Sequence, residues 1–184
     1  MSHTEEFFDF YINSMLFATA KPNKAHLALA ELENRGVLKA VVTQNIDGLH
    51  QAAGSKNVLE LHGSVHRNHC MNCGEKFSME YILNCKEAVP KCNKCNGTVK
   101  PDVTLYEESL DMDVLNTAIA YIKEADVLIV GGTSLAVYPA AGLIDYYRGS
   151  KLVLINKSTT PYDRRANLII NESIGKVLDE AVMH

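Results

Sequence analysis

No apolar run in the sequence approaches the roughly 18 residues that a membrane-spanning helix needs. Its first ten residues lack the basic start of a secretory leader and carry Glu5, Glu6 and Asp9 instead. Both absences make a cytoplasmic location the expectation. Basic charge is scarce as well. Eighteen Lys and Arg stand against 22 Asp and Glu, a formal charge of −4, which argues against a protein held to nucleic acid by its overall field. Five cysteines are too few for a disulfide scaffold in 184 residues. There is no internal repeat, low-complexity run or flexible linker. What is present, 47% hydrophobic and 22% charged residues, suits one globular domain or one domain with a small insert.

The apolar spacing predicts a parallel α/β sheet. Phe7, Phe8, Tyr11, Met15 and Leu16 recur at helical steps and would line one packed face. A second helix begins near Pro22 and Asn23, continues through His26, Leu27, Leu29, Ala30 and Leu32, and ends at Gly36. The run 37–42 reads as a buried strand. The same order returns later, with a helix over 115–125, a strand over 126–130, and Gly131-Gly132 as a turn into another helix. Strands over 151–155 and 168–170 and a closing helix over 174–183 follow. Continuous apolar strands of this kind are expected to be covered on both faces. Between about Ser64 and Lys100 the periodicity gives way to cysteine, asparagine, lysine and glycine, as in an inserted module with almost no apolar core. The expected domains are therefore 1–63 with 101–184, and 64–100.

Cys70-x-x-Cys73 and Cys92-x-x-Cys95 are 18 residues apart, the spacing of a four-cysteine zinc ribbon. Four thiolates leave no place for water on the metal, so a bound Zn2+ would be structural. A redox dithiol is the alternative, and His66 and His69 are competing ligands. Thr43 to Gly48 follows a strand and offers Gln44, Asn45 and Asp47 to a polar ligand, or forms an ordinary capped loop. His62 stands at the end of a short strand beside Gly63, where a histidine can act as a base or be purely structural. Gly132, Thr133 and Ser134 provide glycine and hydroxyls after a strand, an arrangement that receives phosphate when a helix follows. Asn156 and Lys157 form a second polar pair of the same kind.

Taken together, Pro22-Asn23-Lys24-Ala25-His26, Thr43 to His50, Leu61-His62-Gly63-Ser64, the paired cysteine motifs, Gly132-Thr133-Ser134-Leu135 with Pro139-Ala140-Ala141, and Ile155-Asn156 resemble the sirtuins, the NAD-dependent protein lysine deacylases. They occur in the family's order along essentially the whole chain. The resemblance implies a Rossmann-like parallel sheet with an inserted zinc ribbon. It makes His62 the general base, places Gln44, Asn45 and Asp47 on the nicotinamide and ribose side of NAD, and places Gly132, Thr133, Ser134 and Asn156 on the phosphate and adenosine side. The implied reaction passes the acyl group of an acyl-lysine to ADP-ribose and releases nicotinamide. The segment 101–108, with Val103 and Tyr106, corresponds to the one that pairs with the peptide substrate, although Glu107 replaces the family's glycine.

The family's opening strand and glycine-rich NAD turn have no counterpart from Met1 onward. Open sheet edges, self-association through them and weak NAD binding are the expectations that follow. The alternative function is a non-catalytic, zinc-stabilised interaction protein. A third reading takes the ribbon, with Arg67 and its lysines, for a nucleic-acid module. It is opposed by the acidic remainder and by the lack of interleaved aromatic residues.

Overall fold

Asn23 opens the best-marked helix in the way its side chain suggests. Its Oδ1 accepts from the backbone N–H groups of Ala25 and His26 at 2.9 and 3.3 Å, and His26 Nδ1 accepts in return from Asn23 N–H at 3.1 Å. This reciprocal cap satisfies donors that a helix start otherwise leaves unpaired. A computed structural model of the chain describes residues 3–17, 19–105 and 107–184, and these form two compact units.

The larger unit comprises Lys21–Gln44, Leu49–Leu61 and Leu110–His184. It holds α2 (Lys24–Asn34), β1 (Val41–Thr43), α3 (Leu49–Ala52), β2 (Val58–Glu60), α5 (Met112–Glu124), β6 (Leu128–Gly131), β7 (Leu152–Ile155), β8 (Leu168–Ile170) and α6 (Ile174–Val182). β1 pairs with β2, and β6, β7 and β8 pair in that order, in both cases parallel. One core gathers Leu61, Leu152 and Leu154 with Ala118 and Ile122 of α5 and with the 3-10 segment Ala140–Tyr146. A second gathers Ala25 and Ala28 of α2, Ile155, and Leu178 and Val182 of α6.

Three expectations are corrected here. The run 37–42 is not a strand throughout. The N–H groups of Val37 and Leu38 are taken by the carbonyl of Leu32 at the end of α2, so the ladder begins only at Val41, whose N–H donates to Asn57 O. No helix follows Gly131-Gly132 directly. Thr133 N–H donates to the Asn156 side chain, Leu135 N–H donates to Thr133 Oγ1, and Leu135 has φ +53°, which stops a helix from starting. The parallel strands form two sheets among the described residues, and they are not covered on both faces: Ile129 is 41% exposed and Leu168 51%.

The smaller unit comprises the described residues of Met1–Ala20, then Asn45–Gly48 and His62–Ser109. It contains α1 (Thr4–Phe10), which runs on as a π-helical turn over Tyr11–Met15, β3 (Gly63–Cys70), β4 (Lys76–Phe77), α4 (Met79–Leu83) and β5 (Val99–Val103). β3 is the central strand, antiparallel to β4 and β5. The stretch 64–100 lies within this unit and is not without a core. Phe8 and Tyr11 are fully buried with Val65, Met79, Ile82 and Val99, so the first helix supplies the apolar mass that the cysteine-bearing stretch lacks. Burial also pushes the Tyr11 hydroxyl pKa above its ordinary value.

Candidate active site and metal centre

The four cysteines predicted as ligands come together. The sulfurs of Cys70, Cys73, Cys92 and Cys95 all lie within 4.8 Å of one another, with Cys70 to Cys95 at 3.4 Å and Cys73 to Cys92 at 3.7 Å. A tetrahedral zinc with sulfur at about 2.3 Å needs ligand edges of about 3.8 Å, so the cluster fits the ion. The two halves are built alike. Asn72 N–H donates to Cys70 Sγ and Lys94 N–H to Cys92 Sγ, each at 3.4 Å. The Cys73 backbone N–H, joined by that of Asn72, lowers the Cys70 thiol to about 6. At Cys95 the Gly97 N–H acts downward, but hydrogen bonds with Cys70 and Cys73 outweigh it and lift the thiol to about 12. The backbone N–H groups thus favour the thiolate form at Cys70, the form that binds a cation. His66 and His69 bond elsewhere, His66 to the Asp47 carbonyl and His69 to the Asp102 carboxylate.

His62 sits in the turn between β2 and β3 rather than at a strand end. The turn depends on Gly63, which has φ +76° and packs so closely on the Asp102 carbonyl that no Cβ would fit. Beyond it Gly63 pairs with Val103, and Thr104 N–H donates to the His62 carbonyl at 3.0 Å. The backbone of His62 is therefore tied to β5. Asn45 and Asp47 belong to the same unit, in a loop whose Ile46 carbonyl accepts from Val65 N–H at 3.0 Å. Val103 has its side chain in the core, and Tyr106 lies outside the described residues. Glu107 has φ +69°, a left-handed backbone in which glycine is unstrained and a longer residue is not.

In the larger unit Gln44 follows β1, and a pocket of about 360 Å³ opens where β6 and β7 end. Gly132, Thr133, Ser134 and Asn156 all line it. Asn156 is buried, and its Oδ1 accepts from Thr133 N–H at 3.0 Å. Its Nδ2 is buried without a hydrogen-bond partner in the structure. A buried donor left open costs about 1 to 3 kcal/mol and suits a ligand oxygen or ring nitrogen. Lys157, Ser158, Thr159, Thr160, Glu172 and Ser173 complete the polar wall. The polar run 158–160 that follows β7 and Lys157 carries the sequence signal for this wall.

Residues 1–139 match the family model described as Sir2 family. A protein of Clostridium tetani named NAD-dependent protein deacetylase is 66% identical over 96% of this chain and 71% of its own length. One of the same name from Clostridium acetobutylicum is 61% identical over 98% of this chain and 74% of its own. Among solved structures, a Sir2 protein with p53 peptide and NAD+ superposes with a TM-score of 0.92 at 42% identity, covering 99% of this chain and 78% of that one. A Sir2 protein bound to acetylated peptide superposes at 0.90 with 41% identity, covering 99% and 79%. The cysteine cluster, the His62 turn and the pocket at Asn156 thus lie in a chain that belongs to the Sir2 family.

Proposed function

We propose that this chain is an NAD-dependent protein lysine deacetylase or deacylase, an enzyme that takes the acyl group from lysine side chains of protein substrates. The observation that carries the reading is the pocket at Gly132, Thr133, Ser134 and Asn156, with its open buried donor. When bound, NAD would supply an activated ribose carbon with nicotinamide as its leaving group, and a ribose hydroxyl on which the acyl group ends. Asn156 Nδ2 and the hydroxyls of Thr133 and Ser134 hold the adenosine and phosphate side. Gln44, Asn45 and Asp47 hold the nicotinamide and ribose side. His62 is the general base, taking up a proton on an imidazole nitrogen. The zinc has no part in the chemistry, since four sulfurs leave it no open position.

Val103 and Tyr106 belong to the segment that meets the peptide. Glu107 puts a negative charge in that segment. No helix of the described residues is long and apolar enough to cross a membrane, in keeping with work on protein substrates in the cytoplasm. The strand edges left open in the two parallel sheets support self-association, and the acidic balance disfavours nucleic acid. Incubating the zinc-loaded protein with an acetyl-lysine peptide, with and without NAD, tests the reading by mass spectrometry. Loss of the acetyl group only when NAD is present is expected. Deacetylation that proceeds equally without NAD would contradict it.

A further inference from the structure

His66 is an exposed residue of β3, and its Nε2 lies 3.0 Å from the backbone oxygen of Asp47. A carbonyl oxygen only accepts, so the ring carries a proton on Nε2 and donates it. The next loop residue packs on the same ring. A Cβ built on Gly48 would stand 2.6 Å from His66 Cδ2 and 2.8 Å from Nε2, and Gly48 has φ +68°. One position earlier on the strand, Val65 N–H donates to the Ile46 carbonyl at 3.0 Å, while Ile46 packs into the core that includes Val65. The backbone of His66 is itself set by its N–H, which donates to the buried Ser64 Oγ at 3.3 Å. Two consecutive residues of β3 therefore grip three consecutive residues of the loop: Val65 holds Ile46, and His66 holds Asp47 and Gly48. The strand that does so starts directly after His62.

We propose that His66 is a positioning residue for the loop carrying Asn45 and Asp47, locking its backbone so that these side chains are preorganised for the ribose and nicotinamide side of NAD. The proposal rests on the NAD-dependent reading above for the identity of the ligand, and on the hydrogen bond and the Gly48 packing for the clamp itself. Nε2 keeps its proton in both the neutral tautomer and the imidazolium ion, so the clamp needs no change of protonation to hold. Asn45 and Asp47 meet the ligand and His66 does not, so its loss acts on cofactor binding more than on the chemical step.

Two substitutions separate donor from ring: His66→Phe keeps a ring against Gly48 and removes the donor, and His66→Gln keeps an amide donor and removes the ring. In zinc-loaded full-length protein, amide hydrogen exchange of residues 46–48 is read beside KM and kcat for NAD. His66→Phe is expected to speed exchange of these amides and raise KM for NAD about three- to tenfold, the loss of one net hydrogen bond, with kcat changed less. His66→Gln is expected to restore both in large part. Unchanged exchange in His66→Phe would overturn the clamp. Faster exchange at an unchanged KM, or a Gln variant no better than Phe, would overturn the positioning role. A wild-type protein without NAD-dependent activity would defeat the cofactor reading, and the exchange measurement would still show whether the clamp exists.

Discussion

His62 and Asn156 are held in different ways. In the smaller unit the His62 backbone is tied to β5 by Thr104 N–H and by the close packing of Gly63 on Asp102, and the loop of Asn45 and Asp47 hangs from Val65 and His66. The first two extend the antiparallel pairing of β3 with β5, and the loop is held by one backbone and one side-chain bond, in a unit that also contains four clustered sulfurs and a core that includes Phe8 and Tyr11. In the larger unit Asn156 follows a parallel strand; its backbone N–H donates to Ile170 O at 3.2 Å, its Oδ1 accepts from Thr133 N–H, and its Nδ2 is left without a partner. The contrast separates two kinds of damage. Disturbing the first arrangement should disturb the fold around it, whereas disturbing the second should mainly cost ligand.

The strongest way to sharpen this contrast is to remove the metal. Structural zinc contributes on the order of 10 kcal/mol in small zinc domains, so chelation or Cys92→Ser should unfold the smaller unit. Limited proteolysis should then cut within residues 62–109 and spare 110–184. Equal loss of both segments would show that the units are not separately stabilised. Next in size is Phe8→Ala. Emptying a fully buried aromatic site costs about 3 to 5 kcal/mol, read as a lower denaturant midpoint in zinc-loaded protein. A midpoint within error of wild type would mean that zinc alone holds this unit.

Asn156→Ala probes the other side of the comparison. Without its amide NAD should bind about tenfold more weakly by calorimetry, while the circular dichroism spectrum stays the same. Unchanged binding would remove Asn156 from the site. The smallest effect is expected from acid. Leu105 N–H, with Lys100 beside it, holds the Glu108 carboxyl below its ordinary 4.5. A depressed pKa means that the contribution is present above about pH 4.5 and fades as pH falls through the lowered value. The Leu105 amide should exchange faster only in that acid range, and an exchange rate that follows the ordinary pH dependence would refute it.

Much of this was legible from local signals. β7, β8 and α6 stand where apolar runs and helical spacing put them, because each pattern lies within one element. The cysteine pairs are equally local, since their spacing sets the sulfurs around one point. The late start of β1 was not legible, because it depends on Leu32 taking the N–H groups of Val37 and Leu38, nor was the absent helix after Gly132, which depends on Asn156 capturing Thr133. The core of the cysteine-bearing unit was missed because Phe8 and Tyr11 reach it from the far end of the sequence. The grip of His66 on Asp47 is likewise a tertiary contact between residues that look unrelated in the chain.

His62 as the base of an NAD-dependent deacetylation is the role on which the proposed chemistry turns. The most direct measurement is nicotinamide release coupled to deacetylation of an acetyl-lysine peptide, at saturating NAD, by zinc-loaded wild type and His62→Ala. The account predicts release matched to deacetylation in the wild type. It predicts that His62→Ala loses deacetylation, by about a hundredfold or more, with its thermal unfolding little changed. A folded His62→Ala protein that kept most of the activity would contradict it.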